Sequence, residues 1–488
     1  MTEYAVASWL VTKSLCLCYF VAFLSLLPQV LGLYGRQGIL SLDHFLNLLD
    51  KELGAERFHH VPSLFWFLSN DFAVRGLCFI GMVASSLAFL GFSQSWMLLI
   101  CWICYLSYVS CGQVFLGYQW DSLLLEFGFL GLFFAPWTLE WSPMAAYHLH
   151  PFVLGLVWLL LFKLMFLSGV VKLKSRDPAW TKLTALSFHY WTQPLPSPLA
   201  YFFAKLPMAI QRISTFFMFF IELIVPFFIF APGPLQVVAA LFLFVLQVLI
   251  WTTGNYGFFN ILTIGLIFSL LPDSALKTFD FGEMVILKFD SMEWISEGMI
   301  ASEAALLALM ILVPATLFWI TKTLSEKSTA TNFMLPMMRL LYPYRISNPY
   351  GLFAVMTKVR PELVLEGSLD GETWLPYELK NKPTDIKKRP RFVAPHQPRL
   401  DWQMWFAALE SFNENLWLQN LITRIFESSP DVLSLFRKDP FGGKPPKYLR
   451  LLRYEFHFSS WKDLRTRGEW WTKELIAPYG PVFEREDD

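Results

Sequence analysis

The chain has 488 residues, 55% of them hydrophobic and 17% aromatic, with 48 Phe, 20 Trp and only 16% charged residues. That balance points away from an ordinary water-soluble globular protein. Basic and acidic residues both number 39, so no global field argues for nucleic acid, and with no Gly-rich phosphate loop and no zinc-type Cys/His spacing, neither metal nor cofactor is expected.

Apolar runs of about 18 residues or more mark membrane helices, because about 20 residues at 1.5 Å rise cross the hydrocarbon. Such runs occupy 14–33, 74–91, 95–115, 152–171, 213–231, 235–252 and 304–321, and two shorter ones occupy 122–136 and 257–272. The expected fold is an α-helical multi-pass membrane bundle of seven to nine spans, followed by a soluble, β-rich, sandwich-like domain with extra helices. The first run follows Lys13 and is too long for a cleaved signal core, so it reads as a retained anchor. Cysteines 16, 18, 78, 101, 104 and 111 all lie in or beside apolar segments. Cys101-Trp-Ile-Cys104 has redox spacing, but its apolar surroundings argue for buried structural thiols. Internal repeats are not evident.

Composition turns polar after Thr321, which places the membrane domain at 1–325 and the soluble domain at 326–488. Glu362-Leu-Val-Leu-Glu366 and the β-prone residues after Asp370-Gly371 predict a hairpin. Residues 380–400 read as an extended loop and 401–438 as amphipathic helix. With nine spans, loops 34–73 and 172–212 share one side with the tail. The second loop holds Lys172, Lys174, Arg176, Lys182, Lys205 and Arg212, so charge counting places the tail in the cytoplasm.

The segment Gly117-Tyr-Gln-Trp-Asp-Ser-Leu-Leu-Leu-Glu126, continuing to Pro136, carries acids into an apolar run. On a helix, Gln119, Ser122 and Glu126 form one stripe, and Asp121, Gly128, Gly131 and Ala135 form a second, mostly small one. Small residues allow close helix approach in lipid, and intramembrane ionisable groups face the interior with partners. Their role is either a structural tie or substrate and proton handling. Lys163, inside the 152–171 run, is the natural partner for Glu126 or Asp121. Lys172 ends that run, either as a snorkelling lysine or as a desolvated base. His189, in Phe188-His-Tyr-Trp-Thr-Gln-Pro-Leu-Pro-Ser-Pro198, is either a packed loop histidine or one that titrates near neutral pH. In the tail, His396, Arg399, Asp401, Trp402 and Trp405 read either as a client-binding surface or as an internal latch joining loop to helix.

Several segments carry a family resemblance: Leu33-Tyr-Gly-Arg-Gln-Gly-Ile-Leu40, Gly117–Glu126, Leu186–Pro198, Asn348-Pro-Tyr-Gly-Leu-Phe353 and Val393-Ala-Pro-His-Gln-Pro-Arg-Leu-Asp-Trp-Gln-Met-Trp-Phe406. In these the chain resembles the lipase maturation factor family along nearly its whole length. The resemblance implies a multi-pass membrane protein of the endoplasmic reticulum that assists folding and assembly of homodimeric secreted lipases, with its tail in the lumen. That placement opposes the charge count, and it is preferred because the span count varies by two. The chain has no Asn-x-Ser/Thr acceptor and ends Glu484-Arg-Glu-Asp-Asp488, without Lys-Asp-Glu-Leu. These departures fit a bacterial or divergent relative as well; in a bacterium the membrane would be the plasma membrane. Gly169-Val-Val-Lys-Leu173 is similar to the stretch that holds the catalytic lysine of vitamin K-dependent γ-carboxylases, and Lys172 matches it by position.

The leading expectation is therefore a membrane-anchored, chaperone-like maturation factor for a secreted client protein. The alternative is an integral membrane enzyme using Lys172 and His189. A transporter is disfavoured, because no paired interrupted helices or repeat halves are visible.

Overall fold

The computed structural model describes residues 4–134, 137, 139, 141, 150–276, 299–325 and 329–486, with 299–304 and 330 as backbone only. Among these, nine helices build the bundle: α1 (Ala5–Leu26), α2 (Asp71–Phe89), α3 (Gln94–Cys111), α4 (Gln119–Gly131), α5 (Pro151–Lys174), α6 (Met208–Leu223), α7 (Pro234–Thr253), α8 (Phe259–Phe268) and α9 (Met299–Leu324). Seven are long and apolar enough to cross a membrane, α6 together with the 3-10 turn that extends it to Phe230. α4 and α8 are the two short ones.

Local chemistry sets the boundaries. α1 starts nine residues earlier than the apolar run predicts and stops at Leu26, because Pro28 cannot continue it. Lys13 is therefore inside the helix, where its ammonium donates to the Phe89 carbonyl at the C-terminal end of α2. Pro151 and Pro234 open α5 and α7 at a position that needs no amide donor. Asn70 caps α2 by accepting from Ala73 N at 2.8 Å.

The two short helices each begin close to the C-terminal region. α4 starts near the tail, where Gln119 Oε1 accepts from Gly351 N (3.2 Å), and it ends at Gly131, packed on Leu15. α8 starts just after Asn255, which bonds Arg391 O, Val393 N and Ala394 N of the tail. Past its end, Asp273 accepts from Ala5 N and Val6 N (both 3.0 Å) at the opposite pole. Among the described residues, Ala5 lies at one pole of the bundle and the C-terminal region at the other. Loops 34–73 and 172–212 both contact the C-terminal region, through Gly38 O with Arg424 and Tyr201 Oη with Ser459 O.

The strands are β1 (Pro361–Ser368), β2 (Leu375–Pro376), β3 (Glu378–Leu379), β4 (Phe436–Lys438), β5 (Tyr448–Phe458), β6 (Trp471–Pro478) and β7 (Phe483–Glu484). One antiparallel sheet runs β2-β1-β5-β6, with β7 also on β5, and β3 pairs with β4. The predicted hairpin forms: Glu366 faces Pro376 across a turn in which Asp370 Oδ1 accepts from Glu372 N and Thr373 N and Gly371 adopts φ +81°. The single helix expected over 401–438 is instead α10 (Arg399–Leu409), α11 (Trp417–Phe426), short helical turns at 412–414 and 430–433, and β4. The breaks fall where Ser411 and Glu414 form a capping box and where Ser429 caps a turn opened by Pro430. One continuous apolar cluster runs from Leu15 and Tyr105 in the bundle to Leu400, Trp402 and Leu418 in the tail.

The small stripe of α4 faces α1. A Cβ on Gly128 would collide with the Tyr19 hydroxyl. Ala135 lies outside the described residues. Gly128→Leu is expected to cost about 1–3 kcal/mol through overpacking, read as a lower thermal midpoint of the detergent-purified protein. An unchanged midpoint would mean that α1 and α4 do not pack this closely.

Candidate functional site

The polar positions of α4 are sockets for the C-terminal region. Asp121 is fully buried, and Arg399, the first residue of α10, clamps it with two parallel bonds, Nη1 to Oδ2 at 2.6 Å and Nη2 to Oδ1 at 2.8 Å. Tyr105 Oη donates to Oδ1 (2.5 Å), and Arg399 Nη1 also donates to Phe115 O (3.0 Å). Glu126 receives Lys163 from α5, and its other oxygen accepts from Asn348 N (2.9 Å) and Tyr350 Oη (2.7 Å). Ser122 contributes its carbonyl to Asn348 Nδ2 (3.3 Å). The whole stripe of Gln119, Ser122 and Glu126 therefore grips residues 348–351, one helix face away from the grip on Arg399.

The surrounding loop is held in the same manner. Gln29 Nε2 donates to Gln397 O (2.7 Å), and its Oε1 accepts from Arg399 N (2.9 Å). Ser25 Oγ bonds His396 Nδ1 (2.9 Å) and accepts from Gln397 N (2.8 Å). Asp401 Oδ1 accepts from Asn381 N and Lys382 N. Trp402 packs edge-on against Trp120, with ring centroids 4.8 Å apart, and Trp405 Nε1 donates to Thr192 O (2.9 Å). Arg399, Asp401, Trp402 and Trp405 are buried and His396 is half-buried. The contacts these five make here are internal, as an internal latch requires: each fills a bond or packing site left by the bundle or by its own loop.

Lys172 and His189 lie elsewhere, on a cavity of about 330 Å³ between α5, α6, α7 and the short helix 185–192. Lys172 Nζ is chelated by both oxygens of Glu222 on α6, at 2.6 and 2.7 Å. His189 Nε2 lies 3.1 Å from Tyr256 Oη, which donates to Gln193 Oε1 (2.7 Å). Burial, reinforced by the positive charge of Lys172, pushes His189 down to about 4, so it does not titrate near neutral pH. Asp121, Glu126 and Lys163 do not reach this cavity; the five intramembrane and loop candidates divide into a closed core and an open site.

Glu222 was not anticipated. It is the one carboxylate in the apolar run 213–231, the same signal that singled out Glu126. The buried pairs of Glu362 with Arg360 and with Lys382 (both 2.7 Å) were also missed, because their setting depends on the tail fold. Among the described residues, no His, Cys, Asp and Glu cluster is arranged to hold a metal ion.

Removing one partner of a buried ion pair strands the other charge. Arg399→Met is expected to cost about 3–5 kcal/mol, and adding Asp121→Leu to recover much of it. The check is a double-mutant cycle on thermal unfolding in detergent; strictly additive losses would show that the two residues are not coupled.

Comparison with known proteins follows this division of the chain. The family model described as Lipase maturation factor transmembrane domain matches residues 6–278, and the Lipase maturation factor C-terminal domain matches 346–481. Lipase maturation factor 2 of Xenopus laevis is 33% identical, over 96% of this chain and 81% of the relative. That of Gallus gallus is 34% identical over 97% and 80%, and Lipase maturation factor 1 of Bos taurus 32% over 97% and 88%. No solved structure matches. With both modules matched in order around seven membrane-length helices, the chain is a multi-pass membrane protein that belongs to the lipase maturation factor family.

Proposed function

We propose that this chain is a membrane-anchored, chaperone-like maturation factor that assists folding and assembly of secreted, dimeric lipases, with residues 326–488 as its soluble domain in the lumen of the endoplasmic reticulum. In a bacterial setting the same domain would lie on the outer face of the plasma membrane. The reading is carried by the two-module family match together with the clamp that fixes the tail to one pole of the bundle. A tail held rigidly at the membrane surface is a platform on which a client can be retained while it folds. Since His396, Arg399, Asp401, Trp402 and Trp405 are engaged internally, client contact falls on exposed apolar groups such as Leu475 and Ile476 of the sheet-edge strand β6. Edge strands and exposed apolar side chains are the surfaces that recruit partners.

The enzyme alternative rests on Lys172 and His189 lining one cavity. An ammonium chelated by both oxygens of Glu222 offers no lone pair, so Lys172 in this geometry serves as a charge partner and not as a base.

In cells lacking their own maturation factor, co-expression of this chain is expected to restore secreted activity of a dimeric lipase, and Leu475→Asp with Ile476→Asp to lower it at unchanged chain level. Secreted activity no higher than with empty vector would sink the proposal. Orientation is read separately. Gly371→Asn creates an Asn-Glu-Thr acceptor on an exposed turn whose φ of +81° asparagine tolerates better than most residues. The chain has no native acceptor, so a glycosidase-sensitive mass shift reports a lumenal tail, and its absence reports a cytoplasmic one.

A further inference from the structure

The cavity holding Lys172 and His189 has a polar end and an apolar end. Trp180, Lys172, Glu222, His189 and Tyr256 gather toward the tail pole, while Leu164 and Leu246 line the deeper part. Its mouth is marked by lining side chains that are themselves exposed: Ile213 (56%) and Phe217 (52%) on α6, and Leu249 (46%) on α7. The same flank continues in exposed Phe216, Leu241 and Val245 on membrane-length helices. The opening therefore lies on an exposed apolar flank of membrane-length helices.

The hydrogen-bond inventory at the polar end specifies the head group. Gln193 Nε2 donates to Tyr190 O (3.2 Å) and Thr253 O (2.9 Å), which fixes Oε1 as the acceptor for the Tyr256 hydroxyl proton. Tyr256 Oη must then accept from His189, so Nε2 carries the proton and Nδ1 holds a lone pair. Among the described residues, His189 Nδ1 has no hydrogen-bond partner. Lys172 uses two N–H bonds on Glu222, which leaves a third donor and the outer lone pairs of the carboxylate. The site thus offers both an acceptor and a donor around a charge pair that is already neutralised. A carboxylate head would set a second anion beside Glu222, and an ammonium head a second cation beside Lys172. An uncharged hydroxyl head meets both requirements. The volume sits at the lower end of the roughly 300–1,000 Å³ range of small-molecule sites, which suits one acyl chain and not a two-chain phospholipid.

We propose that this cavity is a lipid-binding site for a single-chain amphiphile with an uncharged, hydroxyl-bearing head of the monoacylglycerol type, entering between α6 and α7 and bound at its head by His189 Nδ1 and the Lys172–Glu222 pair. It is independent of the client reading above, since it requires no secreted protein.

The test uses the full chain reconstituted in phosphatidylcholine vesicles and a monoacylglycerol carrying a photoactivatable diazirine in its acyl chain. Two comparison probes carry the same chain as a free fatty acid and as a primary amine. Saturable labelling by the monoacylglycerol is expected in peptides from α5, α6 and α7 that line the cavity, displaced by unlabelled monoacylglycerol. The charged probes should label these peptides about tenfold less, as should the monoacylglycerol on His189→Phe, the factor set by one lost hydrogen bond. Leu249→Trp, on the exposed rim, should block labelling at unchanged thermal midpoint. Non-saturable labelling, or labelling equal to that of the exposed Leu235, Val238, Leu241, Phe244 and Val245, would overturn the site. Equal or stronger labelling by the fatty acid would overturn the uncharged head. Both readings on the unmodified chain stand even where a variant does not fold.

Discussion

An ionised carboxylate inside an apolar helix must be matched, and that constraint organises this molecule. Moving such a group out of water costs several kcal/mol after relaxation, and the cost is offset only by a partner with good geometry and by filling the remaining lone pairs. α4 carries two such groups five residues apart, on different faces. Asp121 meets a planar guanidinium that saturates it from two sides, with Tyr105 adding a third donor. Glu126 meets an ammonium, a backbone amide and a phenol. Because Arg399, Asn348 and Tyr350 all come from beyond the last bundle helix, the membrane region and the tail share one core and one electrostatic account.

Legibility in the sequence followed the range of the interaction. The spans were readable because hydrocarbon thickness imposes a length, and the polar stripe Gln119-Ser122-Glu126 because helical periodicity is local. Lys163 could be named as a partner because it is the one cation within its own run. Arg399 could not be assigned to Asp121, since nothing local ties residues 278 positions apart. The 391–406 segment read equally as a recognition surface or an internal latch, because Arg and Trp anchor interfaces of either kind; the contacts they make here are internal. The sequence left His189 as either packed or titratable because burial is invisible there, and burial is what keeps it neutral. The start of α1 was misplaced because hydropathy does not weigh Pro28 against the apolar residues that precede Lys13.

The two buried lysines solve the same problem with different consequences. Lys163 spends its donors within a closed core, on Glu126 and Ser347, over the Tyr350 ring. Lys172 is neutralised by a single neighbouring helix, with Trp180 beneath it, and keeps a face toward open volume. The first arrangement makes a joint. The second makes a polar surface without net charge at the end of an apolar chamber.

The clamp between Asp121 and Arg399 also sets a clock. The chain is made from its N-terminus at roughly 5–20 residues per second, so Arg399 emerges on the order of 15–60 s after Asp121. During that interval Asp121 lacks its guanidinium partner. The clamp cannot form until Arg399 has been made, and a chain that stops before it leaves Asp121 without that partner. Completion of synthesis is thereby written into the membrane region itself, as a polar position that falls silent only when the last third of the protein has arrived.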